Sequence, residues 1–581
     1  MDVDVVVIGG GPAGSTTAGF LTQMGRSVLV LEREQFPRHH IGESMIASTF
    51  DVLAEIGLEP KIQAAGFPVK SGGCFIWGES LDPWCIRFSE IPGRPTSFQV
   101  KRDVFDTILL DHAAELGADV RQQARVNEVL VEDGRVVGVR FEHESEVHEV
   151  RAGCVVDASG LAAVVANKVS SREPVEGLKN MALYGYWKGV HPAPAALGGD
   201  LKPDDRNNII IKMLDTGWLW FIPLGFDDVI SVGYVTHRAN LPEKTGKAGL
   251  EEHYLEQIQA SEEISYLLSN STYTDDFHTV KDWSYRSADM QGPGFFAVGD
   301  AACFVDPILS SGVYLGVLFA KMCALAVNTC LSEPENEALI GDWYQGLYVD
   351  AYSDYVDMAD LWYHGDRRVQ SWMASAHDNL AQEVAGEFTE DDRSSFIGLA
   401  TGNAHSHANY VLQRELESFP LPLYLRKDPR AGFHQAAHHA LIAHADPATL
   451  EEDGLAAKRD AQQSLDSSAA RRAKVAALLA GPESLVDALQ PTEPAPPLSE
   501  DARLALSSEV RLSLEAIGNM VRMVLTAPDG QRRILSSDEQ RLIAALGEGP
   551  SLGQLNNGSD TGNGADGFVN ELLGAGALVA G

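Results

Sequence analysis

Cationic side chains are scarce in this sequence: 45 Lys and Arg face 82 Asp and Glu across 581 residues, a formal net charge of −37 at pH 7. That balance argues against nucleic acid, whose phosphates need a basic face, and against an anionic membrane surface. An anion bound here must be held locally, by backbone N–H groups, a helix N-terminus or a single placed cation. No apolar run stands out that approaches the roughly 20 residues needed to span a bilayer. The opening MDVDVVVIGG lacks the charged n-region and cleavage site of a secretory leader. Cysteine is sparse as well. Cys74, Cys85, Cys154, Cys303, Cys323 and Cys330 are scattered with no C-x-x-C pair, which predicts free, buried thiols rather than a metal site or a disulfide framework. These absences together predict a soluble cytoplasmic protein with neither a nucleic-acid nor a membrane partner.

What is present is an α/β pattern. VDVVVIGG reads as a buried strand, PAGSTTAGFLTQMG as a helix closed by Gly25, and SVLVLER as a second strand, a β-α-β start of Rossmann type. From about 180 to 285 short alternating runs such as MALYGYWKGV and VISVGYVTH predict an antiparallel, substrate-side sheet. The expected organisation is a core over 1–330, a helical extension over 331–480, a linker over 481–502 and a small domain over 503–581. A capping box from Ser536 to Glu539 suggests that the last of these is winged-helix-like.

Gly9-x-Gly11-x-x-Gly14 falls between the first strand and the helix, where glycines let a pyrophosphate reach the helix N-terminus. Glu32, followed by Arg33, ends the second strand and can accept hydrogen bonds from a ribose. A second match, Gly562-x-Gly564-x-x-Gly567, has no strand before it and is read as chance. Arg102 in VKRDVFDTILLDHA, Asp157 with Ser159 and Gly160 in VVDASG, and Gly299-Asp300 in FFAVGDAACFVDP follow in order. In these motifs the chain resembles the flavoprotein monooxygenases of the p-hydroxybenzoate hydroxylase type, which implies FAD. Only one nucleotide fold is legible, so a separate NAD(P)H-dependent flavin reductase is the expected partner.

Trp218 and Trp220 stand two apart in GWLWFIP. Core aromatics in a strand would be the ordinary reading. Three further stretches change it: FPRHHIGESM with Gly42, Glu43 and Ser44, GFPVKSGG with Lys70, and DPILSSGVYLG with Pro307, Ser310, Ser311 and Gly312. With them the chain resembles the flavin-dependent halogenases, whose signature is W-x-W-x-I-P. That resemblance implies FADH2, O2 and chloride (or bromide). Halide would bind the backbone near Ser311 and Gly312, with Ser310 beside it. Lys70 would carry the oxidised halogen as a hydrogen-bonded acid or a chloramine, and the tryptophans would keep substrate away from the flavin. It also implies a role in secondary metabolism of the antibiotic kind. Leu309 stands where tryptophan halogenases carry glutamate, which points to the phenol, pyrrole or chloramphenicol-type branch, the chloramphenicol halogenase being most similar in its long C-terminal extension. In that comparison KDWSY makes Asp282 a candidate for an ester link to a flavin methyl group. The substrate would be a small molecule, free or tethered to a carrier protein.

Two rival readings were weighed: a geranylgeranyl-reductase-like or monooxygenase flavoprotein of the same fold, and a flavin-binding scaffold that docks a carrier protein. His434 and His438 form an H-x-x-x-H without the glutamate or third ligand of a zinc site, so no metal is expected.

Overall fold

The computed structural model describes residues 2–364 apart from 79–80, 91–93, 176–177, 226–227, 243–245 and 282–283. It also describes Ala400, Gly402 and the segments 504–506, 511–517, 520–526, 532–535 and 578–580. In chain order the elements used below are β1 (Val3–Ile8), α1 (Pro12–Gln23), β2 (Val28–Leu31), β3 (Val69–Lys70), β4 (Gly72–Ile76), β5 (Pro83–Arg87), α2 (Arg102–Glu115), β6 (Asp119–Arg121) and β7 (Glu146–Asp157). They continue with β8 (Asn180–Gly189), β9 (Ile209–Leu214), β10 (Gly217–Pro223), β11 (Val229–His237), α3 (Lys247–Ala260), β12 (Ser271–Lys281), β13 (Phe295–Ala297), α4 (Gly312–Ser332) and α5 (Glu337–His364).

The first sheet runs β13-β7-β1-β2-β6 through parallel pairs. Its central strands are apolar along their length because both faces are covered: α1 packs on β1 and β2, while Val6, Ile8, Leu29 and Leu31 meet Val129, Val136, Val139 and Phe141 of the antiparallel strands Arg125–Glu132 and Arg135–His143. Val5, Val6 and Val7 are fully buried. The second sheet is ordered β12-β8-β11-β10-β9-β4-β5. The antiparallel sheet expected over 180–285 is therefore present, and the hairpin β4–β5 widens it through one parallel pairing of β4 with β9.

Period-two alternation gives this second sheet two different faces. Leu219 and Phe221 of β10, Ile210 of β9, Val232 and Tyr234 of β11 and Cys74 of β4 point to one side, where Tyr254 and Ile258 of α3 close an apolar core. Trp218 and Trp220 point to the other.

Three expectations need correction. Cys74 and Cys85 are not free: they sit opposite each other in the β4–β5 register and form a disulfide, an arrangement that strand pairing creates and linear spacing hides. Cys154, Cys303, Cys323 and Cys330 are free and buried, as expected. An apolar run of spanning length does exist: α4 has 21 residues, and its most apolar 18-residue stretch has a mean hydropathy of 1.6 with 89% of that stretch buried, which makes it a core helix. Finally, the winged-helix-like domain finds no support. The chain divides into two compact units after His407. In the C-terminal unit the described residues are strands: Arg511–Ile517, Met520–Thr526 and Arg532–Ile534 form an antiparallel sheet, and Leu504–Leu506 pairs with Leu578–Ala580. The Ser536–Glu539 box, the 481–502 linker, His434, His438 and most of the extension beyond His364 lie outside the described residues.

Candidate active site

The glycine turn separates what the fold requires from what a ligand requires. Gly9 has φ +103°, and a Cβ there would stand 2.3 Å from the Ala158 carbonyl oxygen. A Cβ on Gly14 would stand 2.0 Å from the Gly9 carbonyl oxygen. Both glycines are demanded by the chain itself. Gly11 is different: a Cβ there would meet only Arg38 Nη2, at 3.3 Å. Its side-chain space opens to the outside of the turn, and α1, which starts on Gly11 with Pro12 at its first position, has no side-chain cap over its first-turn N–H groups. An uncapped helix N-terminus with open space in front fits a diphosphate.

Glu32 closes the same site. Its carboxylate is buried and accepts the Gly10 N–H at 2.7 Å and the Glu34 N–H at 2.8 Å. Arg33 points away, exposed and paired with Glu34 at 3.3 Å. Arg102, the first residue of α2, grips Asp106 through two parallel bonds of 2.7 and 2.9 Å and donates to the Ile41 and Gly42 carbonyls. It therefore fixes the loop that delivers Glu43 and Ser44. Arg38 was missed by the sequence reading although FPRHH contains it. Its guanidinium lies 3.3 Å from Asp106 and 4.6 Å over the Phe36 ring, next to Gly11. Asp157 has its carboxylate filled by protein donors: Ser159 N–H and Oγ–H on Oδ1, Val165 and Ala166 N–H on Oδ2. Its place is in the turn after β7, holding it shut. Gly299 has φ +64° and donates its N–H to Tyr348 Oη at 3.0 Å, and burial raises the Asp300 carboxyl to about 6 against the opposing pull of Arg102 and Arg172. Asp282 lies outside the described residues.

Lys70 sits at the end of β3 with 3% exposure. Its ammonium donates to Ser44 Oγ and to the Met45 carbonyl, both at 2.8 Å, and stands 5.5 Å over the Phe88 ring. Among the described residues it has no carboxylate partner. Burial alone lowers its pKa to about 7, an unfavourable cation burial worth on the order of 5 kcal/mol. A lysine in that state has its neutral amine accessible near neutral pH.

Beside Ser44, the buried Glu43 accepts the Tyr186 hydroxyl at 2.9 Å. Ser231 lies next to that carboxyl and accepts Trp220 Nε1–H at 3.2 Å. The Trp220 indole lies across Gly233, where a Cβ would stand 2.2 Å from the ring, so the glycine opposite is what lets the tryptophan lie flat. Trp218 donates Nε1–H at 2.8 Å to Tyr363 Oη, whose own partner is the Asp306 carboxylate at 3.0–3.1 Å. Asp306 caps the turn of Pro307, Ile308 and Leu309 by accepting the Ile308 N–H. Next come Ser310, left-handed at φ +58°, then the buried Ser311 and Gly312, at which the 21-residue α4 begins without a side-chain cap. Gly312 has no room for a side chain, because a Cβ would stand 2.6 Å from the Phe304 ring. The structure thus joins Lys70, Ser44, Glu43 and Trp220 on one hydrogen-bonded side, and Trp218 with the Asp306–Gly312 loop on the other.

A dinucleotide cradle on the first sheet, a buried lysine on the short β3 paired with Ser97–Phe98, and an aromatic face on the second sheet fit an FAD-dependent enzyme. Residues 2–333 match the FAD binding domain family. Over 405 residues the chain is 32% identical to a tryptophan 2-halogenase of Chondromyces crocatus, covering 68% of this chain and 75% of that protein. A 1H-pyrrole-2-carbonyl-[peptidyl-carrier protein] chlorinase of Pseudomonas fluorescens is 31% identical, across 62% of this chain and 84% of its own length. The solved myxobacterial chondrochloren halogenase CndH superposes with TM-score 0.58 at 34% identity, covering 70% of this chain and 90% of that one. The protein belongs to the flavin-dependent halogenases.

Proposed function

We propose that this enzyme halogenates an aromatic or similarly activated carbon, in secondary metabolism, with Lys70 presenting the oxidised halogen. When bound, FAD supplies the redox chemistry, in which FADH2, O2, chloride and one proton give FAD, hypochlorous acid and water. Gly9, Gly11, Gly14 and the α1 N-terminus would hold its diphosphate, with Arg38 as the nearby cation and Glu32 at the ribose. Arg102, Gly42, Asp300 and Pro307 would shape the floor beneath it. The N–H groups at Ser311 and Gly312, beside Ser310, would hold the halide, as a chain this acidic needs a local anion nest. Trp218 and Trp220 would wall the organic substrate off from the flavin. The neutral amine of Lys70 would then take or hydrogen-bond the oxidised halogen and deliver it to carbon.

The observation that carries this reading is Lys70 itself: a buried amine near pKa 7 with no carboxylate partner among the described residues, tied through Ser44 to the loop that also places Glu43 near Trp220. Leu309, in place of a glutamate, favours the phenol, pyrrole or chloramphenicol-type branch. The carrier-protein chlorinase supports a tethered substrate and the tryptophan 2-halogenase a free one. The reduced flavin would come from a separate NAD(P)H-dependent reductase. The test is mass spectrometry after incubation with FAD, chloride and a panel of free and carrier-tethered phenols, pyrroles and indoles. Halogenated product is expected only when a flavin reductase is added, and NAD(P)H alone should leave the bound flavin yellow. Hydroxylated products, or rapid bleaching by NAD(P)H without a reductase, would contradict it.

A further inference from the structure

The overall reaction consumes a proton, and Lys70, buried at the end of β3, does not reach solvent to fetch one. Another part of the molecule does. His39 is exposed, and its Nε2 lies 2.7 Å from the Tyr186 hydroxyl. Tyr186, 9% exposed on β8, donates that hydroxyl to Glu43 Oε1 at 2.9 Å. Glu43 is 3% exposed, and its second oxygen, Oε2, is buried without an aligned hydrogen-bond partner. A carboxyl that meets Tyr186 on one side and Ser231 on the other, one residue from the Ser44 that holds Lys70, is the inner end of a path.

We propose that His39, Tyr186 and Glu43 form a proton relay that carries protons from solvent to the halogenating site. This rests on the halogenase reading and assigns to Glu43 a role in proton delivery. In one cycle Glu43 gives its proton to the oxygen being reduced and becomes a carboxylate. Tyr186 Oη–H passes its proton to Oε1, Nε2–H of the protonated His39 replaces the proton on Tyr186, and His39 recovers one from water. One proton enters and one is consumed, no electron moves, and the relay regains its starting state once the Glu43 carboxyl and the Tyr186 hydroxyl turn back to their first orientations.

The electrostatics set the direction. Burial raises the Glu43 carboxyl to about 7, against the opposing influence of Ser231, Tyr186 and Arg102, with Asp103 adding to the rise. His39 is held below its ordinary value by partial burial and then by His278, which stacks on it at 4.3 Å; Arg102 pushes the same way, while Asp276 and Asp103 pull it back up. Asp276 in turn sits 2.7 Å from His278. The proton therefore moves from the weaker holder at the surface to the stronger holder inside.

Infrared spectroscopy of the full-length flavoprotein tests the relay without relying on turnover. The wild type should show a buried protonated carboxyl band that fades as pH rises through about 7 and is missing in Glu43→Gln. Tyr186→Phe and His39→Ala should keep that band and full flavin occupancy, yet slow its deuterium exchange at least ~10²-fold, the lower end of what a positioned proton donor contributes. Halogenation by His39→Ala should fall by a similar factor and recover in imidazole buffer, whereas Tyr186→Phe, an internal link, should not recover. A purely structural bond would show no buffer rescue. Wild-type exchange in both variants, or a wild type without the band, overturns the relay. An enzyme that forms no halogenated product at all overturns the functional reading instead, and leaves the exchange result standing.

Discussion

Lys70→Ala should reduce halogenated product to background while the variant still binds FAD, reacts with O2 once reduced and consumes reductant. The separation follows from geometry. The dinucleotide cradle is built from β1, α1 and β2, whereas Lys70 lies on β3 and touches Ser44 and Met45. Oxidant formation belongs to the cofactor, so the loss falls on the transfer step alone. Removing one positioned acid or nucleophile costs at least ~10²-fold. Lys70→Arg should fail almost as badly, because a guanidinium keeps its charge and forms no chloramine readily. The pH profile adds a check with a definite sign. Burial lowers the Lys70 pKa to about 7, so the neutral amine grows as pH rises towards 7 and is depleted below it; the acid limb of halogenation should lie near that value. Product yield, measured beside flavin oxidation, reads both parts. Near-normal chlorination by Lys70→Ala would mean that the oxidant reaches substrate unaided.

Gly11→Val should give a folded, colourless protein. Gly9 and Gly14 cannot test the cradle cleanly, since a Cβ at either collides with backbone at 2.3 or 2.0 Å. At Gly11 the chain itself tolerates a side chain with only a shift of Arg38, so a branched one fills the space in front of the α1 N-terminus without disturbing the sheet. Crowding the diphosphate should remove the flavin, a loss visible as the absence of yellow absorbance in protein whose circular dichroism is unchanged. Full flavin occupancy in folded Gly11→Val would place the cofactor elsewhere. The same flavin measurement after denaturation tests an ester at Asp282: with the ester, wild type retains some flavin and Asp282→Asn none, while complete loss from denatured wild type rules the ester out.

The cradle was legible because strand, glycine turn and helix are contiguous in sequence, and a turn that must approach a ligand admits few residue types. The Trp218–Trp220 face was legible from period-two alternation within β10. What escaped depends on pairing between distant segments. Gly233 makes room for Trp220 from another strand, Cys74 meets Cys85 only through hairpin register, and Tyr363 reaches Trp218 from a helix 145 residues away. Arg38 was in plain view, yet nothing in the sequence says that its guanidinium turns back beside Gly11. Asp157 looked like a cofactor ligand because its motif is a turn, and a turn needs its own carboxylate acceptor; only the hydrogen bonds show that the chain uses all of it. The apolarity of α4 was underestimated because Lys321 interrupts it, although that lysine reaches Glu55 from within the core.

The central claim is that the flavin-derived oxidant is spent on halide and not on the organic substrate. Replacing chloride by bromide under otherwise identical turnover, with the product followed by mass spectrometry, tests it most directly. The expected product carries the chlorine isotope pattern in one buffer and the bromine pattern in the other, and does not form when halide is omitted. A product whose mass and yield ignore the halide, or which gains oxygen in its place, would contradict the account.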